Sequence, residues 1–195
     1  GGFAVVDANR GGSPAMLALL AAQGCRELPA MVLTHPHQDH MGDLGEIAKR
    51  FRVGRFLESG APSASGTYRY LLRTLQSAGT PAATARAGDR LNWDPRVQVT
   101  VLHADPAPEN LNNASVVLRL QFGSTVMLLM GDAEAEVEEA LLAKFPGQLR
   151  ADVLKVGHHG SRSSSSAAFI AAVRPQFAII SAGAGNRFHH PHQGT

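Results

Sequence analysis

An apolar run that ends in a dense cluster of imidazoles constrains this chain more than any other feature. Ala30-Met31-Val32-Leu33-Thr34 reads as a buried strand, and it delivers His35-Pro36-His37-Gln38-Asp39-His40. In extended backbone, residues two apart point the same way. His35 and His37 can therefore grip one metal ion together, while Asp39 and His40 turn toward a second. Imidazole and carboxylate donors without thiolate suit zinc, manganese or iron. The alternative is a solvent loop that happens to hold three histidines and an aspartate. The density of ligand types directly after an apolar strand argues against it.

The rest of the composition narrows the class. With 195 residues, 44% of them hydrophobic, the chain can bury one sizeable core, and a single domain over 1–195 is expected. Only 17% of residues are charged, which excludes a disordered chain. The formal charge of +2 permits a nucleic-acid substrate but is not the excess of a protein held on DNA by charge alone. Cys25 is the sole cysteine, so an intramolecular disulfide and a cysteine-rich metal site are excluded. No apolar stretch reaches the length of a membrane-spanning helix. The opening residues lack the charged region and apolar run of a signal peptide.

Strands and helices alternate at both ends, around a strand-rich middle. Residues 3–7 read as a strand ending on Asp7. Ser13-Pro14 opens a helix, with Ser13 as its cap, and Gly24 closes it. A helix is expected over 43–51, a strand over 53–58 and a helix over 68–78, with Tyr68, Leu71, Leu72 and Leu75 on one face. Strands are expected over 90–93, 97–103, 115–122 and 125–130, the last two joined at Gly123-Ser124. A helix over 133–145, a strand over 152–156, a helix over 165–173 and a strand over 176–181 complete an α/β pattern with a mixed sheet.

Eight of the nine histidines fall into three groups: His35/His37/His40, His158/His159 and His189/His190/His192. His103 stands alone and reads as structural. Asp132, after the apolar run 126–130, reads either as a metal ligand or as the cap of the helix behind it. His158 and His159 end another apolar run, where sites in α/β sheets collect.

The loop Thr34-His35-Pro36-His37-Gln38-Asp39-His40-Met41-Gly42 resembles the signature loop of metallo-β-lactamase-fold hydrolases. Later motifs narrow the resemblance. Asn112-Asn113-Ala114-Ser115-Val116-Val117-Leu118, Met130-Gly131-Asp132, Lys155-Val156-Gly157-His158-His159-Gly160-Ser161 and Asn186-Arg187-Phe188-His189-His190-Pro191 follow in that order. Together they look like the hydrolase domain of ComEC-type DNA-uptake (competence) proteins.

The resemblance implies an α/β fold, the αβ/βα four-layer sandwich with mixed sheets, in a fragment lacking the family's first strand and extreme C-terminus. It implies two divalent metal ions, zinc or manganese, held by His35, His37, Asp39, His40, Asp132 and His159. Asp132 would bridge the two ions. Asp39, His158 and His190 would carry the chemistry, with His158 in substrate contact or proton transfer and His190 toward a phosphate or leaving oxygen. Asp7 would brace the metal loop by hydrogen bonds. Many members of the wider fold offer the first metal a third histidine where this chain has Asn112 to Ser115. Oxygen donors or water would replace it, which harder metals such as manganese tolerate better than zinc.

The implied function is a nuclease that degrades the non-transforming DNA strand during uptake, with single-stranded DNA as partner and a fused membrane channel domain outside this chain. The implied place is an extracytoplasmic domain of a bacterial inner-membrane protein. Without the resemblance, a cytoplasmic place would be expected. Two other readings stand beside it: a free-standing hydrolase of a small phosphodiester or (thio)ester, and a non-catalytic DNA-binding module. Residues 163–166 read as phosphate-binding hydroxyls at a helix start or as a flexible loop. Arg162 and Arg187 read as backbone contacts to nucleic acid or as ordinary surface charges, and His189 and His192 as surface residues.

Overall fold

The computed structural model describes residues 2–9, 11 and 13–194. They form two compact units, 1–85 and 86–195. The capping role read for the Ser13 side chain lies outside what is described.

In the first unit, strands β1 (Ala4–Val6), β3 (Ala30–Leu33), β5 (Phe56–Glu58) and β6 (Ala82–Thr84) make a parallel sheet in the order β1-β3-β5-β6. Every residue of β3 is buried, as expected of a central parallel strand with a continuous apolar run. Helices α1 (Ser13–Ala22), α3 (Leu44–Arg50) and α4 (Gly66–Ser77) contribute Leu20, Ile47, Leu71 and Leu75 to the core beside Met31, Leu33 and Phe56. Ser65 caps α4 by accepting the Thr67 N–H. Between β3 and α3 the metal-loop residues form a single helical turn, α2 (Gln38–Met41).

The strand expected over 53–58 is split. Strand β4 (Arg52–Val53) pairs with β2 (Glu27–Leu28) in a separate two-stranded sheet, and only β5 joins the main one. The break falls at Gly54, whose N–H donates to the Leu28 carbonyl. A Cβ there would stand 3.0 Å from the Pro29 carbonyl oxygen, tighter than ordinary van der Waals contact, which favours glycine where the chain crosses between sheets.

The second unit holds one mixed sheet in the order β12-β11-β10-β9-β8-β7. Strands β7 (Arg90–Asp94), β8 (Val97–His103), β9 (Val117–Phe122) and β10 (Thr125–Leu129) run antiparallel. Strands β10, β11 (Val153–Lys155) and β12 (Phe177–Ile179) run parallel. Their crossovers are α5 (Ala135–Lys144) and α6 (Ala167–Val173). Leu128, Leu154, Val137, Leu141 and Phe169 fill this unit's core.

The starts of β9, α5 and α6 differ from expectation. Residues 111–114 form a 3₁₀ turn capped by Asn110, so β9 begins at Val117. Helix α5 has Glu134 at its N-cap position, so Asp132 is not the cap of that helix. Ser166 accepts the Phe169 N–H and starts α6 at Ala167.

Candidate metal centre

The parallel pairing of β1 and β3 puts their carboxyl ends side by side, with Asp7 N–H bonded to the Val32 carbonyl. Asp7 sits at φ 60°, a left-handed conformation that aspartate tolerates better than most residues. Its carboxylate accepts the Thr34 N–H at 2.8 Å and the Thr34 hydroxyl at 2.8 Å. It also accepts from His40 Nδ1 at 2.8 Å. With Nδ1 donating to Asp7, His40 keeps Nε2 as its lone-pair donor.

The Thr34 hydroxyl spends its proton on Asp7 and stands as acceptor for His35 Nδ1 at 3.1 Å, so His35 too is left with Nε2. That nitrogen meets His37 Nδ1 at 2.9 Å. Two imidazole nitrogens so close need a proton between them or a cation that takes both lone pairs. The His35 ring centroid lies 4.6 Å from that of His37 and 4.2 Å from that of His40. His35 and His40 are buried, His37 is half-buried and Asp39 is exposed. Converging, pre-oriented imidazole nitrogens around a carboxylate brace fit a divalent metal.

In the second unit, β10 ends on Met130-Gly131-Asp132, with Gly131 at φ 58° turning the chain. Asp132 is buried, and its N–H donates to Ser115 Oγ at 2.9 Å. Lys155 Nζ donates to the Gly131 carbonyl at 3.1 Å and fixes the turn. The parallel neighbour β11 delivers Gly157-His158-His159-Gly160. His158 and His159 both hold positive φ, 45° and 55°, which costs each of them steric strain. The short loop brings both rings back toward the end of β10.

His159 Nδ1 donates to the Ser181 carbonyl at 2.6 Å, and its Nε2 lies 3.2 Å from Asp132 Oδ2. An imidazole that has spent its proton on a carbonyl turns a lone pair toward a carboxylate only if a second proton or a cation joins them. That arrangement again fits a divalent metal.

His158 faces a different partner. Its Nδ1 lies 2.9 Å from Glu134 Oε1 and 3.2 Å from Ser163 Oγ. Glu134 is itself held by the side-chain amides of Asn110 at 2.9 Å and Asn112 at 2.8 Å. The His190 ring lies 5.4 Å from the His158 ring and 4.8 Å from the His192 ring. Burial, then the neighbouring charges of His158 and His192, lowers the pKa of His190 below the ordinary imidazole value.

Several expectations change in detail. Residues 163–166 are neither open phosphate donors nor a loose loop. Ser164 Oγ donates to the Gly157 carbonyl at 2.9 Å, and the N–H groups of Ser165 and Ser166 donate to the buried Glu138 carboxylate. His192, read as a surface residue, is half-buried, and its Nδ1 accepts the Arg162 N–H at 3.2 Å. His189 is exposed, and His103 Nε2 binds the Asn113 carbonyl at 2.9 Å. The Arg187 guanidinium stacks on Phe188 at 4.6 Å. Asn113 accepts the Glu134 N–H through its side-chain oxygen, so it braces the α5 start.

Sequence reasoning missed Glu134 and Ser115. The only signal for Glu134 was a second acid two residues after Asp132, which is indistinguishable from ordinary helix-start acidity.

A family model, the Metallo-beta-lactamase superfamily, matches residues 1–184. The chain is 37% identical over 183 residues to the ComE operon protein 3 of Bacillus subtilis, covering 93% of this chain and 23% of that protein. It is 33% identical over 173 residues to the competence protein ComA of Neisseria gonorrhoeae, covering 88% of this chain and 22% of that protein. The chain thus spans less than a quarter of the length of these relatives. Among solved structures, zinc-bound PqqB from Methylobacterium extorquens shares the fold at a TM-score of 0.52 and 16% identity, over 78% of this chain and 55% of that one. The chain belongs to the metallo-β-lactamase superfamily.

Proposed function

We propose that this metal-dependent hydrolase domain cleaves phosphodiester bonds of DNA during competence, degrading the strand that is not taken up. The reading is supported by one combination: buried imidazole and carboxylate donors of the superfamily in a chain that is 33% to 37% identical to competence proteins. The proposed ligands are His35, His37, Asp39, His40, Asp132 and His159, for two divalent ions, zinc or manganese. A bound metal pair supplies a lowered water pKa and neutralises charge on the attacked phosphate.

The chain's own residues do the rest. Asp7 and Thr34 hold His35 and His40 in the tautomer that presents Nε2. Glu134 orients His158, and His158 and His190 are the candidates for moving a proton to the leaving oxygen. An extracytoplasmic place and a fused membrane channel belong to the same reading. Among the described residues, no helix is long and apolar enough to cross a membrane.

The test is a nuclease assay on single- and double-stranded DNA with added manganese or zinc. The parent should cleave, and Asp39→Ala and His40→Ala should abolish cleavage. No metal-dependent cleavage of any DNA would sink the reading. Turnover confined to small phosphodiesters or thioesters would favour a free-standing hydrolase. Tight DNA binding without turnover, unchanged by ligand substitution, would favour a binding module.

A further inference from the structure

The sheet of residues 86–195 carries a second feature on the face that its helices cover. Arg90 on β7 pairs in register with Thr100 on β8, and Thr100 with Arg119 on β9. Register partners project from the same face of a sheet. Arg119 also pairs with the buried Leu128 of β10, so this is the face that packs on the unit's core. Helix α5 stops at Lys144, and the loop that follows brings Gln148 and Arg150 to this row. The result is a cleft of about 680 Å³ whose walls include Arg90, Arg119, Arg150, Thr100, Gln148 and Asp152.

The charge balance in the cleft is one-sided. Among the described residues, Asp152 is its only carboxylate, and that group already accepts the Val126 N–H at 2.8 Å. Among the described residues, arginine ion pairs join Arg52 to Glu27 and Arg96 to Asp94, and none involves the three cleft arginines. Arg119 is half-buried and donates to Gln121 Oε1 at 2.9 Å, while Arg90 and Arg150 are exposed. Guanidinium groups flanked by a hydroxyl and an amide match phosphate oxygens in shape and charge. Arg90 and Arg119 stand on strands separated by β8, about 10 Å apart at the backbone, which suits successive phosphates better than one.

We propose that this cleft binds the phosphodiester backbone of single-stranded DNA, as a holding site that shares no lining residue with Asp132, His158 and His159. Within this unit, none of Asp132, His158 and His159 is among the residues that line the cleft. The proposal rests on the reading of the chain as one that acts on DNA, but its test does not depend on turnover.

The intact chain is titrated against a fluorescent oligothymidylate in the presence of a chelator, with anisotropy read over a range of salt. Arg90→Ala/Arg150→Ala should weaken binding about tenfold at low salt. It should also make the slope of log affinity against log salt shallower by about 1.4, for two lost contacts on a single strand. The control Arg26→Ala/Arg73→Ala removes the same charge from exposed positions of the other unit and should leave both quantities unchanged. Arg90→Gln/Arg150→Gln repeats the loss with the side-chain volume largely kept, and matched thermal midpoints exclude unfolding.

Equal weakening by the control, or no change in the cleft variants, would overturn the proposal. So would displacement of the oligonucleotide by millimolar phosphate at constant ionic strength. Binding through the cleft without any metal-dependent cleavage would sink the nuclease reading and leave the cleft. Cleavage with an unchanged KM in the cleft variants would sink the cleft and leave the nuclease.

Discussion

At the residue scale, Asp7 has more depending on it than its position in the sequence suggests. One carboxylate accepts from a backbone N–H, a hydroxyl and an imidazole, and through them it sets which nitrogen of His35 and of His40 carries the lone pair. Asp7→Asn keeps the left-handed backbone acceptable but weakens the acceptor for His40 Nδ1. Metal affinity should fall about 10- to 100-fold while the fold survives. Competition with a chromophoric chelator, beside a circular dichroism spectrum, checks both halves of that expectation.

Glu58 gives a pH-dependent case. Burial raises its pKa, against the opposing hydrogen bond from Tyr68 at 2.7 Å. A carboxyl whose folded pKa lies above its unfolded value stabilises the fold below the unfolded value. That contribution is lost as pH rises through the folded one. The stability of the parent relative to Glu58→Gln should therefore rise between neutral pH and pH about 4. Urea denaturation at the two pH values reads the difference, and a flat difference would contradict the assignment.

At the element scale, two parts of the connection from β11 to α6 are held by different means. The loop after β11 depends on close approach: a Cβ at Gly157 would stand 2.7 Å from the Ala133 carbonyl oxygen. The serine run behind it depends on Glu138 of α5, which is buried and receives the Ser165 and Ser166 N–H groups. Glu138→Ala would leave both donors without their acceptor, at a cost of about 3 kcal/mol. Glu138→Gln, which keeps an oxygen acceptor, should lose clearly less. Denaturant midpoints of the two variants give the comparison. A larger loss in the glutamine variant would mean that the carboxylate's charge, not its acceptor geometry, holds the turn.

At the scale of the whole molecule, a metal that binds only the folded chain must stabilise it. Zinc or manganese in about 100-fold excess over its dissociation constant should add about 2.7 kcal/mol, visible as a rise in thermal midpoint. Asp132→Ala should reduce that rise, because one of the proposed ligands is gone. An equal rise in parent and variant would remove Asp132 from the ligand set.

Much of the architecture could be read directly because its signals are local. Strand β3 is a continuous apolar run, α4 has its apolar residues at helical spacing, and Gly123 marks the β9–β10 turn. The signature loop, His158-His159 and Asp132 also stood out, because metal-ligand side chains are scarce and here they cluster. The family followed from those motifs in order.

Other features could not be read from the chain. Strand β6 is three exposed small residues with no apolar pattern, and it exists because β5 offers it an edge. The break at Gly54 depends on Pro29 lying across it. The pairing of His158 with Glu134 joins residues 24 apart, and the row Arg90–Thr100–Arg119 is set by register across three strands. Sequence determined which donors this protein carries and which elements present them. Tertiary structure alone decided which nitrogen each imidazole keeps and which arginines share a face. Hydrogen-bond direction and strand register are properties of neighbours in space, and residue order does not specify them.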